Sequence, residues 1–288
     1  MKNKKEKISN QIVVAIIGIF LFAFMLLSAN ESVILPLPSQ DIIMPPEGIV
    51  LPIQWNDFGK QMIEAGIIDK EKFEKLYDNR GGLSDNDKKL LYGSDNKEII
   101  MDAKNSGILL NLLWAFGLSN KNEILENGPM TDEKYGGDAS KFASTGGWSI
   151  AVGEPMNYYS NHIFIKLTKG QQTLVKRVSK NIYRPCCGNS TYFPDCNHGM
   201  AMLGLLELLA ANNISEKEIY KIALGVNSYW FQDTYITLAR YFNDKGIEWK
   251  DVNPKEVLSA SYSSAQGYMK VLEKMKPAGI RGGARCGV

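Results

Sequence analysis

The run Ile108-Leu-Leu-Asn-Leu-Leu-Trp-Ala-Phe116 constrains this 288-residue chain more than any other stretch. At helical spacing it is apolar on nearly every side, so a helix here must be enclosed by other elements. It belongs to a segment, 97–118, that reads as one helix ending near Gly117. Other helical signals surround it. Trp55, Phe58, Met62 and Ile63 recur at helical spacing after Gln54, and Lys70–Tyr77 forms a short second helix. Ser84 or Asp85 is an N-cap. Thr168 caps a helix expected to reach Tyr183, with Pro185 as its stop. Asp195 or Asn197 caps the next, which runs to about Asn212, and Ser215-Glu-Lys-Glu218 opens another. Residues 227–243 continue that helix or begin a new one, and Pro254 starts a last helix to about Lys276. Residues 128–160 are loop-rich. The fold class expected is mainly α, a single helical domain spanning 54–276.

The amino terminus sets the compartment. Ile12–Leu27 is sixteen residues without a charge. As a helix it spans roughly 24 Å, slightly short of a hydrocarbon core of about 30 Å. Lys2, Lys4, Lys5 and Lys7 precede it, so the amino end stays inside and the body crosses. Residues 1–29 read as an uncleaved signal anchor, with a cleaved signal peptide as the alternative. Residues 30–53 hold five of the eleven prolines and read either as an extended stalk or as a Pro-rich strand lying on the domain. The expected location is therefore membrane-anchored or secreted, with the body extracytoplasmic and the membrane as one partner.

The formal charge is +2. Those four lysines, offset by Glu6, place +3 in the first seven residues and leave about −1 on the rest. No basic body remains to neutralise phosphates, which excludes nucleic acid as the main partner. The glycine pairs 136–137 and 146–147 match no phosphate-binding loop.

The chemistry is concentrated in one place. Three of four cysteines and one of two histidines fall within thirteen residues, as Cys186, Cys187, Cys196 and His198. Thiolate and imidazole are ligands for soft and borderline metals. Cys196 and His198 fall in the first turn of a helix, where open N–H groups and the dipole favour a thiolate and disfavour an imidazolium. The spacing is not that of a zinc finger. The first pair is adjacent, and one ion collects both sulfurs only if the backbone there is irregular, which Pro185 and Gly188 allow.

The first expectation is a zinc or copper site with Cys186, Cys187, Cys196 and His198 as ligands. A disulfide scaffold is the second: a loop closed by Cys187–Cys196 stabilises by roughly 2.5–3 kcal/mol. Structural zinc supplies on the order of 10 kcal/mol. Thiol–disulfide exchange with Cys196 attacking is the third. The tail 277–288 is Gly-rich and flexible, and Cys286 on it is either an arm that exchanges with the cluster or incidental.

Three weaker readings complete the list. His162, beside aromatics, reads as packed and hydrogen-bonded before it reads as a ligand or base. Glu207, interrupting the apolar run Met200–Ala211, reads as facing water before it reads as a buried acid, while Gly204 allows close helix approach. Asn189 and Asn213 begin glycosylation-acceptor triplets.

Overall fold

The computed structural model describes residues 38–94 and 99–275. In chain order these form α1 (Gln40–Ile43), β1 (Ile49–Leu51), α2 (Phe58–Glu64), α3 (Lys70–Asp78), α4 (Asp85–Tyr92), β2 (Ile99–Met101), α5 (Ser106–Ser119) and α6 (Glu123–Asn127). They continue with α7 (Lys169–Ser179), α8 (Asn197–Ala211), α9 (Glu216–Trp230), α10 (Gln232–Asn243), α11 (Pro254–Val257), α12 (Ala260–Ser263) and α13 (Ala265–Lys274). The body is mainly helical, as expected.

Helices α5 and α8 form its centre and make the most extensive helix–helix packing. All of α5 except Gly107, and all of α8 up to Ala210, is buried. The one polar side chain inside the α5 apolar run, Asn111, donates to Tyr77 Oη at 2.7 Å. Two glycines let the helix backbones touch. A β-carbon on Gly204 would lie 2.6 Å from Leu113 O, and one on Gly117 would lie 2.3 Å from Met200 O. The close approach expected of Gly204 is thus present. Around this pair, α7 and α9 pack on α8, and α2 and α9 pack on α5.

Several boundaries differ from the sequence reading. The segment 97–118 is not one helix. Ile99–Met101 pairs antiparallel with Ile49–Leu51, with Val50 opposite Ile100. A local turn then intervenes, in which Asp102 Oδ1 accepts from the backbone N–H groups of Lys104 and Asn105. Side chains that bond nearby backbone compete with the helix, which starts only at Ser106. Helix α7 stops at Ser179, because Ile182 O is taken by Thr191 N at 2.8 Å in a hairpin-like return. The last helix is three pieces: Leu258 O turns aside to accept from Tyr183 N, and Ser264 Oγ caps α13 through Gly267 N. A break at Phe231 separates α9 from α10.

The stalk expectation fails for residues 38–53. Ile43, Met44, Leu51 and Ile53 are buried, and Tyr229 Oη donates to Pro45 O at 2.7 Å. This part follows the alternative, a Pro-rich strand lying on the body. Its alternating apolar residues have more to gain from burial than from extension. Residues 1–37, where an anchor over Ile12–Leu27 is expected, and residues 276–288, with Cys286, lie outside the described residues. Among the described residues no helix is long and apolar enough to cross a membrane.

Candidate metal centre

The cysteine segment links α7 to α8, and three elements fix it. Residues 182–191 fold back on themselves through an isolated bridge between Tyr183 and Ser190. Tyr183 O accepts from Asn227 Nδ2 on α9 at 3.1 Å. Cys187 O accepts from Ala265 N at the start of α13 at 2.9 Å. The turn at Pro185–Gly188 is irregular backbone, the condition that adjacent cysteines require. Cys196 is the N-cap of α8, and His198 lies in its first turn.

Five donors converge there as two sets that share one sulfur. In the first, the ligating atoms of Cys186, Cys196 and His198 all lie within 4.8 Å of one another, and in the second those of Cys187, Asp195 and Cys196 do the same. The sulfurs of Cys186 and Cys196 are 3.6 Å apart. The first set backs onto the core. His198 is buried, its ring 4.5 Å from that of Phe231 and 5.7 Å from that of Trp230. All three members of the second set are half-buried. None of the described cysteines is in a disulfide.

Asn197 orients the imidazole. Its Oδ1 accepts the backbone N–H of His198 at 3.0 Å and lies 3.2 Å from Nδ1. An oxygen offers only lone pairs, so the contact fits the tautomer protonated at Nδ1.

Arg184 carries no signal in the sequence. Its guanidinium is buried and donates from Nε to Cys196 Sγ at 3.0 Å, from Nη1 to Asn189 O at 3.1 Å and from Nη2 to Phe193 O at 3.0 Å. Nη2 also pairs with Asp195 Oδ1, and Asn189 Nδ2 holds the other carboxylate oxygen at 2.7 Å. A buried cation beside a helix N-terminus needs anions, and Cys196 and Asp195 supply them. Contacts from the Cys186 and Cys187 thiols hold Cys196 well below the usual thiol range, and Arg184 and His198 reinforce them against burial. Contact with Cys186 pulls Cys187 down, but Cys196 and burial outweigh it and push that thiol up to about 11. Burial raises Asp195, with Arg184 opposing. Cys196 thus becomes a thiolate before Cys187, and thiolate is the form that binds metal or attacks disulfides.

All four residues singled out as ligands are in this cluster. Asp195 joins them as a donor, although the sequence offered it only as a cap. Cys196 takes the cap position instead, without a side-chain cap bond. Its proximity to two cysteines was the one signal available. Asn189, a glycosylation candidate by pattern, is committed to Asp195.

The other candidates lie apart from the cluster. His162 stacks on Phe164, with ring centres 5.6 Å apart, as the packed reading expects, but its buried Nδ1 has no hydrogen-bond partner. Glu207 does not face water. It is fully buried, accepts from Asn120 Nδ2 at 2.5 Å, and burial raises its carboxyl well above the usual range. The reason is that α8 has no solvent face. No family model, no curated protein and no solved structure matches the chain.

Proposed function

We propose that this protein binds a thiophilic metal ion, zinc or copper, on the outer side of a membrane. The ligands are Cys186, Cys187, Cys196 and His198, with Asp195 as a further donor. The observation that carries the reading is the convergence of Cys186, Cys196 and His198. Zinc–sulfur bonds of about 2.3 Å at a tetrahedral ion set two sulfurs about 3.8 Å apart. The Cys186–Cys196 separation of 3.6 Å is close to that edge. Three supports fit a ligand set: the thiolate character of Cys196, the Asn197 contact that orients the imidazole, and Arg184 offsetting negative charge. Zinc and copper both accept thiolate and imidazole. The outward placement rests on the lysines ahead of Ile12–Leu27, and the same segment supplies the tether.

Elemental analysis of the full-length chain, purified without chelator and under reducing conditions, tests the reading. Stoichiometric zinc or copper that Cys196→Ser abolishes is the expected result. A chain that carries no metal, and takes up neither ion on addition, refutes it.

A second reading, thiol–disulfide exchange, is favoured by the same short sulfur contact. Cys196 thiolate would attack the disulfide of a partner protein, releasing one partner sulfur as thiolate. Cys186 would then displace the other partner sulfur from the mixed disulfide, leaving Cys186–Cys196 oxidised and the partner reduced by two electrons. Counting thiols before and after incubation with an oxidised substrate protein separates this reading from the first.

A further inference from the structure

Five donors are one too many for a single tetrahedral ion, and they are not arranged as one group. They form two overlapping sets, Cys186, Cys196 and His198, and Cys187, Asp195 and Cys196. The division explains the adjacent cysteines. Each of the neighbouring sulfurs belongs to a different set, an arrangement that suits two ions sharing Cys196. It also explains why Cys196 sits at the centre, in contact with Cys186 and with Arg184 Nε.

Resting on the metal-binding reading above, we propose that the centre is dinuclear, with two d10 ions bridged by the Cys196 thiolate. The inner ion takes Cys186, Cys196 and His198. The outer ion takes Cys187, Cys196 and Asp195, and solvent completes its coordination. The two positions differ in chemistry. The inner one offers sulfur and imidazole against the rings of Trp230 and Phe231. The outer one offers a carboxylate oxygen, the harder donor, which suits zinc better than copper(I).

The two positions also differ in lability. Cys186 and Cys196 of the inner set are half-buried, but its His198 is buried, no outer ligand is, and Asp195 of the outer set already holds a hydrogen bond from the Arg184 guanidinium. A fixed cation beside a cation site weakens it. The outer ion is therefore the exchangeable one and the inner ion the retained one. The three thiolates and the carboxylate, less the arginine, leave a net −3 by formal charge before metal enters. Two divalent ions bring the cluster to +1, as near neutrality as the −1 that one ion leaves, so charge permits the second ion.

The experiment is zinc titration of the full-length, reduced, metal-stripped chain against a chromophoric chelator, repeated for Cys187→Ser, Asp195→Asn and His198→Ala. Two zinc ions per chain are expected, released in two phases by a competing chelator. Cys187→Ser and Asp195→Asn should each bind one and lose the fast phase. His198→Ala should keep Cys196 and lose the slow phase. One zinc per chain in the unaltered protein overturns the dinuclear centre and leaves the metal-binding reading intact. Two zinc ions that survive both Cys187→Ser and Asp195→Asn place the second ion elsewhere and overturn it as well. No bound zinc overturns the dinuclear centre, and neither zinc nor copper in the elemental analysis refutes the metal-binding reading. Circular dichroism of each variant separates ligand loss from unfolding, and the stoichiometry of the unaltered chain decides the matter even if a variant fails to fold.

Discussion

Gly199 in the first turn of α8 leaves room for the guanidinium of Arg184: a β-carbon there would lie 2.5 Å from Cζ and 2.6 Å from Nη2. Placing a buried cation at the positive end of a helix requires both this gap and the anions beside it. In an exposed helix, Ala for Gly gains up to about 1 kcal/mol. At this position Gly199→Ala should instead cost about 1–3 kcal/mol by overpacking, measured by chemical denaturation. It should also weaken zinc binding, since Arg184 orients Cys196 and Asp195. A stability gain would show that the guanidinium is not pressed against this turn.

The α5–α8 contact gives a matched pair of substitutions. Gly204→Ala drives a methyl group toward Leu113 O and should destabilise by about 1–3 kcal/mol. Gly170→Ala in α7 meets nothing within 4 Å and should stabilise by roughly 0.5–1 kcal/mol. Thermal melts of the two variants should move in opposite directions.

Glu207 makes stability depend on pH with a definite sign. Unfolded, it titrates as an ordinary carboxyl, whereas in the fold burial holds the proton to higher pH. The folded chain therefore binds the extra proton between those two values, and its stability falls as pH rises through that window. The slope is at most about 1.4 kcal/mol per pH unit. Glu207→Gln keeps an acceptor for Asn120 and cannot ionise. Its advantage over the unaltered chain should grow from pH 5 to pH 8, on the order of 1–3 kcal/mol, as read by denaturant midpoints. Parallel pH profiles for the two proteins would sink the assignment.

Cys196 and Cys187 should ionise in order. In the metal-free chain the Cys196 thiolate forms before that of Cys187, which stays a thiol until pH approaches about 11. The ultraviolet absorbance of thiolate, followed against pH, should show an early step that Cys196→Ser removes. An early step that persists in that variant would assign it to another cysteine.

The helical nature of the body was legible because α5 and α8 carry apolar residues at every helical angle, which only enclosure satisfies. Ser84, Thr168 and Ser215 marked three helix starts where they occur, since a cap is a local bond within three residues. The boundaries that were misread depend on remote partners. Ile99–Met101 became a strand because Ile49–Leu51 was there to pair with it, and the last helix divided because Leu258 was needed by Tyr183. Glu207 was misplaced for the same reason. Its surroundings follow from what packs on α8, and no window of neighbouring residues contains Asn120.

Sequence alone determined that the sulfurs and one imidazole lie together, because thirteen residues cannot stray far, and that a helix N-terminus stands beneath them. Tertiary structure decided how they are used. It placed Cys186 and Cys187 in two different donor sets that share Cys196, brought Asp195 in as a fifth donor, and set the buried Arg184 against the central sulfur. These outcomes depend on turn geometry and on charge balance in a desolvated space, and both are fixed only when α9 and α13 close on the loop.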